Sequence, residues 1–126
     1  MTTKRILIID DDDSVREIIQ ISLEVAAGWE AITACCGSEG LVLAETEQPD
    51  AILLDVMMPD MDGATTFKHL QANPKTQNIP TILLTAKAKM SEKQQFIQLG
   101  VTGVITKPFE AIDLVNQICT LLKWAG

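Results

Sequence analysis

The chain has 126 residues, enough for one domain with a single core. With 47% hydrophobic and 21% charged residues it is an ordinary globular mix, and no apolar run approaches the about 20 residues of a membrane span. A net charge of −7 supplies no basic surface for nucleic-acid phosphates, so direct DNA binding is not expected.

The N-terminus, "MTTKRILIIDDDD", has too short an apolar run and the wrong flank for a signal peptide. A cytoplasmic protein is expected. "RILIID" (5–10) reads as a buried strand, and "SVREIIQISLEVAAG" (14–28) as a helix. Val15, Ile18, Ile19, Ser22, Leu23 and Ala26 fall at helical spacing, Ser14 and Glu17 match a capping box, and Gly28 is a stop. "WEAITAC" (29–35) alternates like a strand, and "SEGLVLAETEQ" (38–48) is helical up to Pro49. "DAILLD" (50–55) is a strand, followed after a Met-Pro-Gly loop by the helix "ATTFKHLQAN" (64–73), which Pro74 ends. "IPTILLTA" (79–86) is a strand and "SEKQQFIQLG" (91–100) a helix with Ser91 and Gln94 as a second capping box. "GVIT" (103–106) is the last strand, and "EAIDLVNQICTLLKW" (110–124) is an amphipathic helix with Ile112, Val115, Cys119 and Leu122 inward. Five strands alternating with helices predict an α/β, doubly wound parallel sheet covered on both faces.

In such sheets ligands sit outside the carboxyl ends of the strands. The first strand ends in Asp10, Asp11, Asp12 and Asp13, the third in Asp55, the fourth in Thr85, and the fifth in Thr106 and Lys107. Two unit charges 4 Å apart repel by about 1 kcal/mol in water and about 4 kcal/mol at an effective dielectric of 20, so four adjacent aspartates need compensation. A Gly-rich turn would cradle phosphate, but this turn is acidic and attracts a hard divalent cation such as Mg²⁺. Two of the four would hold the cation, and the others would cap the helix or face solvent. Lys107 adds a positive charge opposite the metal, and Asp55 is placed as a nucleophile that forms an acyl phosphate. Cys35, Cys36 and Cys119 have neither disulfide nor zinc spacing and are expected as reduced, half-buried thiols, while His69 stands alone.

These residues resemble the receiver domain of bacterial two-component response regulators. The resemblance covers nearly the whole chain and rests on "ILIIDDDDSVR" (6–16), "ILLDVMMPDMDG" (52–63), "ILLTA" (82–86) and "GVITKPF" (103–109). It implies a flavodoxin-like (βα)5 three-layer sandwich with sheet order 2-1-3-4-5. The chain stops at Gly126, about where a receiver ends, so residues 1–126 are expected as one receiver without an output domain, a stand-alone form being preferred to a piece of a longer protein. The resemblance further implies that Asp55 accepts a phosphoryl group from a histidine kinase or histidine phosphotransfer protein. Asp10, Asp11, Asp55 and the backbone carbonyl of Met57 would bind Mg²⁺, with Mn²⁺ as an alternative. Asp10 and Asp11 are preferred to Asp12 because Arg16 then has its usual spacing from the pair. Thr85 would hydrogen-bond the phosphoryl group and move toward it, Lys107 would pair with its oxygens, and Pro108 would follow a cis peptide bond. Such a domain is a phosphoacceptor and not an enzyme acting on other substrates. The resulting conformational change would engage a downstream protein.

Two positions depart from the family pattern. Val104 stands where the family carries an aromatic residue, and Gln117, Thr102 and Gly103 replace charges used in one common dimer. Met57 and Lys87, two residues past Asp55 and Thr85, are expected to shield an acyl phosphate from water. The segment "KAKMSEKQQ" (87–95) is the first candidate for a partner surface. An aspartate-nucleophile phosphatase would use Asp11, Asp13 and Val15 but leave the Asp55 motif idle. A calcium loop from Asp10 fails at Val15 and Ile21, where it needs glycine and a carboxylate. A receiver that has lost phosphorylation is the remaining rival.

Overall fold

Five short runs of apolar residues form the strands, and the order of their burial shows which are central. The structure is a computed structural model that describes residues 3–59, 61–86, 90–107 and 109–124, with the backbone alone at 90–93. The strands are β1 (Arg5–Ile9), β2 (Glu30–Ala34), β3 (Ala51–Asp55), β4 (Thr81–Thr85) and β5 (Gly103–Thr106). The helices are α1 (Asp13–Ala27), α2 (Gly37–Glu47), α3 (Gly63–Ala72), α4 (Met90–Leu99) and α5 (Ala111–Leu122). All strand pairs are parallel, in the order β2-β1-β3-β4-β5, as expected. Every residue of β3 and β4 is buried, whereas the edge strands β2 and β5 are only partly so. Central strands of a parallel sheet are covered on both faces, and therefore read as unbroken apolar runs.

The period of two along each strand divides the core. Ile6, Ile8, Leu53, Ile82, Leu84 and Ile105 face one layer with Ile19, Leu23, Leu114 and Ile118 of α1 and α5. Leu7, Ile9, Ile52, Leu54 and Leu83 face the other, with Ala44, Phe67 and Leu70 of α2 and α3 and with Phe96 of α4 packed alongside. This is the three-layer flavodoxin-like sandwich. Among the described residues no helix is long and apolar enough to cross a membrane.

Several local expectations need correction. Helix α1 starts one residue before Ser14, and its cap is Asp12, whose Oδ1 accepts from the Ser14 and Val15 amides at 2.9 and 3.2 Å. The Ser14–Glu17 box is therefore not the cap. Asp12 lies in extended backbone just ahead of the helix, where its carboxylate also meets the positive end of the helix dipole, whereas Ser14 already sits in the first turn. Gly28 does stop α1: at φ 70° it closes a Schellman motif, with Gly28 N–H on the Glu24 carbonyl and Trp29 N–H on that of Leu23. Ile18 is 56% exposed and Ala26 is also exposed, so the buried stripe of α1 is narrower than the spacing suggested.

Helix α5 buries Leu114, Ile118 and Cys119, with Val115 and Leu122 packed beside them. Ile112 is 69% exposed. It lies two residues from Leu114, about 200° around the helix at 3.6 residues per turn, and so on the opposite face. Ser91 falls inside α4 and not ahead of it, and its side chain lies outside the described residues. The thiols also differ: Cys36 is half-buried, but Cys35 is exposed and Cys119 buried, all three free. His69 is exposed on α3.

Candidate functional site

Parallel strands bring their carboxyl ends to one edge, and neighbouring strands bring their terminal residues close. β1 and β3 run in register from Ile6↔Ala51 to Ile9↔Leu54, so Asp10 and Asp55 leave the sheet side by side. Asp10 is fully buried and Asp55 is 4% exposed. Asp11 is exposed, and one carboxylate oxygen from each of Asp10, Asp11 and Asp55 lies within 4.8 Å of the others. Lys107 reaches in from the end of β5. Its Nζ donates to Asp10 Oδ2 at 3.1 Å and to Asp55 Oδ1 at 3.0 Å. Its backbone N–H bonds the Thr85 carbonyl at 2.8 Å, which ties β5 to the buried Thr85 at the end of β4.

Each aspartate of the run has its own surroundings. The other Asp10 oxygen, Oδ1, accepts from the Asp12 amide at 2.9 Å, and the Asp10 N–H bonds the Ala34 carbonyl at 3.2 Å. Asp12 caps α1. Asp13 is exposed and pairs with Arg16, whose other nitrogen donates to the Asp10 carbonyl at 2.8 Å. From the sequence Arg16 enters only for its spacing, and its pairing with Asp13 goes unread. The signal was available: Arg16 lies three residues after Asp13 on a helix, where side chains meet.

The loop after β3 is drawn tightly under the site. Gly63 N–H bonds the Val56 carbonyl at 2.9 Å, and a Cβ on Gly63 would stand 2.6 Å from the Asp55 carbonyl oxygen. Met58 is buried, while the Met57 side chain is 62% exposed. Asp60, Lys87 and Pro108, with its expected cis bond, lie outside the described residues, as do the side chains at 90–93 in the expected partner segment. Val104 is half-buried and packs on the cluster of Leu83 and Phe67.

Burial pushes the Asp55 carboxyl above the usual carboxylate range, and the Asp10 charge adds to the rise. The Lys107 ammonium and the Met57 N–H oppose it without cancelling it. Burial alone would lower Lys107, but Asp55 and Asp10 outweigh it and hold the ammonium above its ordinary value. The cluster offers only hard oxygen donors, two buried and one exposed, a set that suits Mg²⁺ or Mn²⁺ and not soft metals. Beside Lys107 lies an apolar hollow of about 370 Å³ lined by Val15, Ile18, Ala86, Lys107 and Phe109. A larger one of about 620 Å³, with Pro49 and Pro80 in its wall, lies at the opposite end of the strands and holds none of this chemistry.

A βα sandwich with an acidic cleft spanned by a lysine defines a phosphoacceptor architecture, and comparison with known proteins agrees. Residues 6–119 match the response regulator receiver domain, and the chain belongs to that family. It is a two-component phosphoacceptor signalling domain; receivers accept phosphoryl groups from histidine kinases and generally bind Mg²⁺. The DNA-binding dual master transcriptional regulator RpaA of a Synechocystis species is 38% identical over 119 residues, 94% of this chain and 49% of that protein. The chain spans about half the length of the first curated relatives it matches. The chemotaxis response regulator CheY4 of Vibrio cholerae superposes with a TM-score of 0.89 at 31% identity, covering 95% of this chain and 99% of that one. The receiver domain of sensor histidine kinase PA1611 from Pseudomonas aeruginosa, solved with a magnesium ion coordinated in its active-site cleft, gives 0.83 at 26% identity, covering 98% of each chain.

Proposed function

We propose that Asp55 is the phosphoacceptor and that Asp10, Asp11, Asp55 and the backbone carbonyl of Met57 hold Mg²⁺, with Mn²⁺ able to replace it. The observation that carries this reading is Lys107 bridging Asp10 and Asp55, in a cluster where three carboxylates meet within 4.8 Å. The donor is a phosphohistidine on a histidine kinase or a histidine phosphotransfer protein. An Asp55 oxygen attacks phosphorus, the new P–O bond forms as the P–N bond breaks, and the imidazole leaves with the electron pair and takes up a proton. Bound Mg²⁺ supplies positive charge against the transferred oxygens. Lys107 turns from the carboxylates to the phosphoryl oxygens, and the Thr85 hydroxyl donates a hydrogen bond to them. The movement of Thr85 alters the surface around β4 and β5, which a downstream protein reads. The domain performs only its own phosphorylation and dephosphorylation. Its charge of −7 favours output by protein docking over direct DNA contact.

Intact mass after incubation with Mg²⁺ and acetyl phosphate tests the assignment. Wild type should gain one phosphoryl group, and Asp55→Asn none. A gain in both would move the acceptor to the aspartates at 10–13. No gain in either, with Mg²⁺ still bound, would make the chain a binding module.

A further inference from the structure

Arg16 lies outside the phosphoacceptor set, yet it holds the acidic turn at two points. One nitrogen donates to the Asp10 carbonyl at 2.8 Å, and the other pairs with the Asp13 carboxylate. The Arg16 side chain is 19% exposed and that of Asp13 89%. An ion pair to so exposed a partner contributes little on its own. The contact with Asp10 is different. The ladder of β1 with β3 ends at Ile9↔Leu54, and it is the guanidinium that meets the next carbonyl.

We propose that Arg16 is a positioning residue for the metal site: it clamps the Asp10 carbonyl, so that Asp10 and Asp11 turn their carboxylates toward Asp55. The proposal rests on reading those three residues as Mg²⁺ ligands. Arg16 can act in two ways, and their signs are opposite. As a bare positive charge it competes with the cation, so removing it would tighten Mg²⁺ binding. As a clamp it fixes the turn from 10 to 13, so removing it would loosen binding. A planar fork can hold a carbonyl and a carboxylate together, whereas lysine offers one point charge.

The test is calorimetric titration of the metal-free protein with Mg²⁺, for wild type, Arg16→Met, Arg16→Lys and Asp13→Asn at constant ionic strength. Urea melts in EDTA measure the folded fraction, so that lost folding is not read as lost affinity. Loss of partners that orient metal ligands costs about 10–100-fold in affinity, and both Arg16 variants should fall in that range. Asp13→Asn keeps the Asp10 contact and should stay near wild type. Tighter or unchanged binding by Arg16→Met overturns the proposal, as does full recovery by Arg16→Lys, which would assign the effect to charge alone. If Arg16→Met does not fold, Arg16→Lys decides on the same criterion. A wild type that binds no Mg²⁺ overturns the ligand reading and the proposal with it, whereas normal wild-type binding with unaffected variants overturns the proposal alone.

Discussion

Asp55→Asn should make the metal-free protein more stable, although Asp55 is the proposed phosphoacceptor. At an effective dielectric of 20, Lys107 Nζ at 3.0 Å attracts the Asp55 carboxylate by about 5.5 kcal/mol. Asp10 repels it by at least about 3.5 kcal/mol at a separation within 4.8 Å. Removing a nearly buried carboxylate from water adds a penalty of several kcal/mol. Attraction is outweighed, which is why the Asp55 carboxyl is raised. The ionised form therefore carries a net cost in the folded protein. Asparagine keeps the shape and an oxygen acceptor for Lys107 but removes the charge. In EDTA at neutral pH, urea melts should show Asp55→Asn more stable by on the order of 1 kcal/mol, the usual size of a single-substitution effect, or roughly 3–6 °C in Tm. The sign with pH follows. A carboxyl raised in the folded state is favourable below its unfolded value, about pH 3.9, and loses that advantage as pH rises through the folded value. Wild type and variant should therefore converge in acid and separate toward neutrality. Mg²⁺ should reverse the order, because a ligand at 100 times its Kd stabilises by about 2.7 kcal/mol and wild type binds it better. A variant less stable than wild type in EDTA would refute the reasoning and show that Lys107 already neutralises the pair.

Lys107→Met should separate binding from chemistry: Mg²⁺ affinity rises or holds, since a competing cation is gone, while the rate of phosphorylation by acetyl phosphate falls about 100-fold. Calorimetry and timed mass spectra check the two halves. Gly63→Ala puts a Cβ 2.6 Å from the Asp55 carbonyl oxygen and 2.8 Å from the Val56 Cα. Because both are backbone atoms, destabilisation of about 1–3 kcal/mol is expected in urea melts, with weakened phosphorylation from the displaced loop. Asp12→Ala removes the α1 cap and should cost about 1 kcal/mol by denaturation. Its Mg²⁺ affinity should change little, which distinguishes it from Asp10 and Asp11.

The sheet was legible because its physics is one-dimensional. A strand buried on both faces must be an apolar run, as "AILLD" and "TILLT" are, and parallel strands need helices between them. The site was legible for the same reason, since polar residues at strand ends must meet once the strands are adjacent. What the sequence could not divide was the aspartate run itself. Ser14 matched a capping box as well as Asp12 matched a cap, and only the backbone at Asp12, at φ −88° and ψ 114°, decides between them. The face of α5 was likewise ambiguous. Stripes through Ile112 and through Leu114 both satisfy helical spacing, and the choice depends on how α5 rolls against α1. Once the backbone is set, the four like charges are no longer a single problem. Asp10 faces Lys107, Asp12 faces two helix amides, and Asp13 faces Arg16. Asp11 is exposed, so water solvates its charge, and its carboxylate lies beside those of Asp10 and Asp55, a set of hard oxygen donors that suits a divalent cation. The repulsion is therefore distributed, and what remains of it is concentrated where an ion can enter.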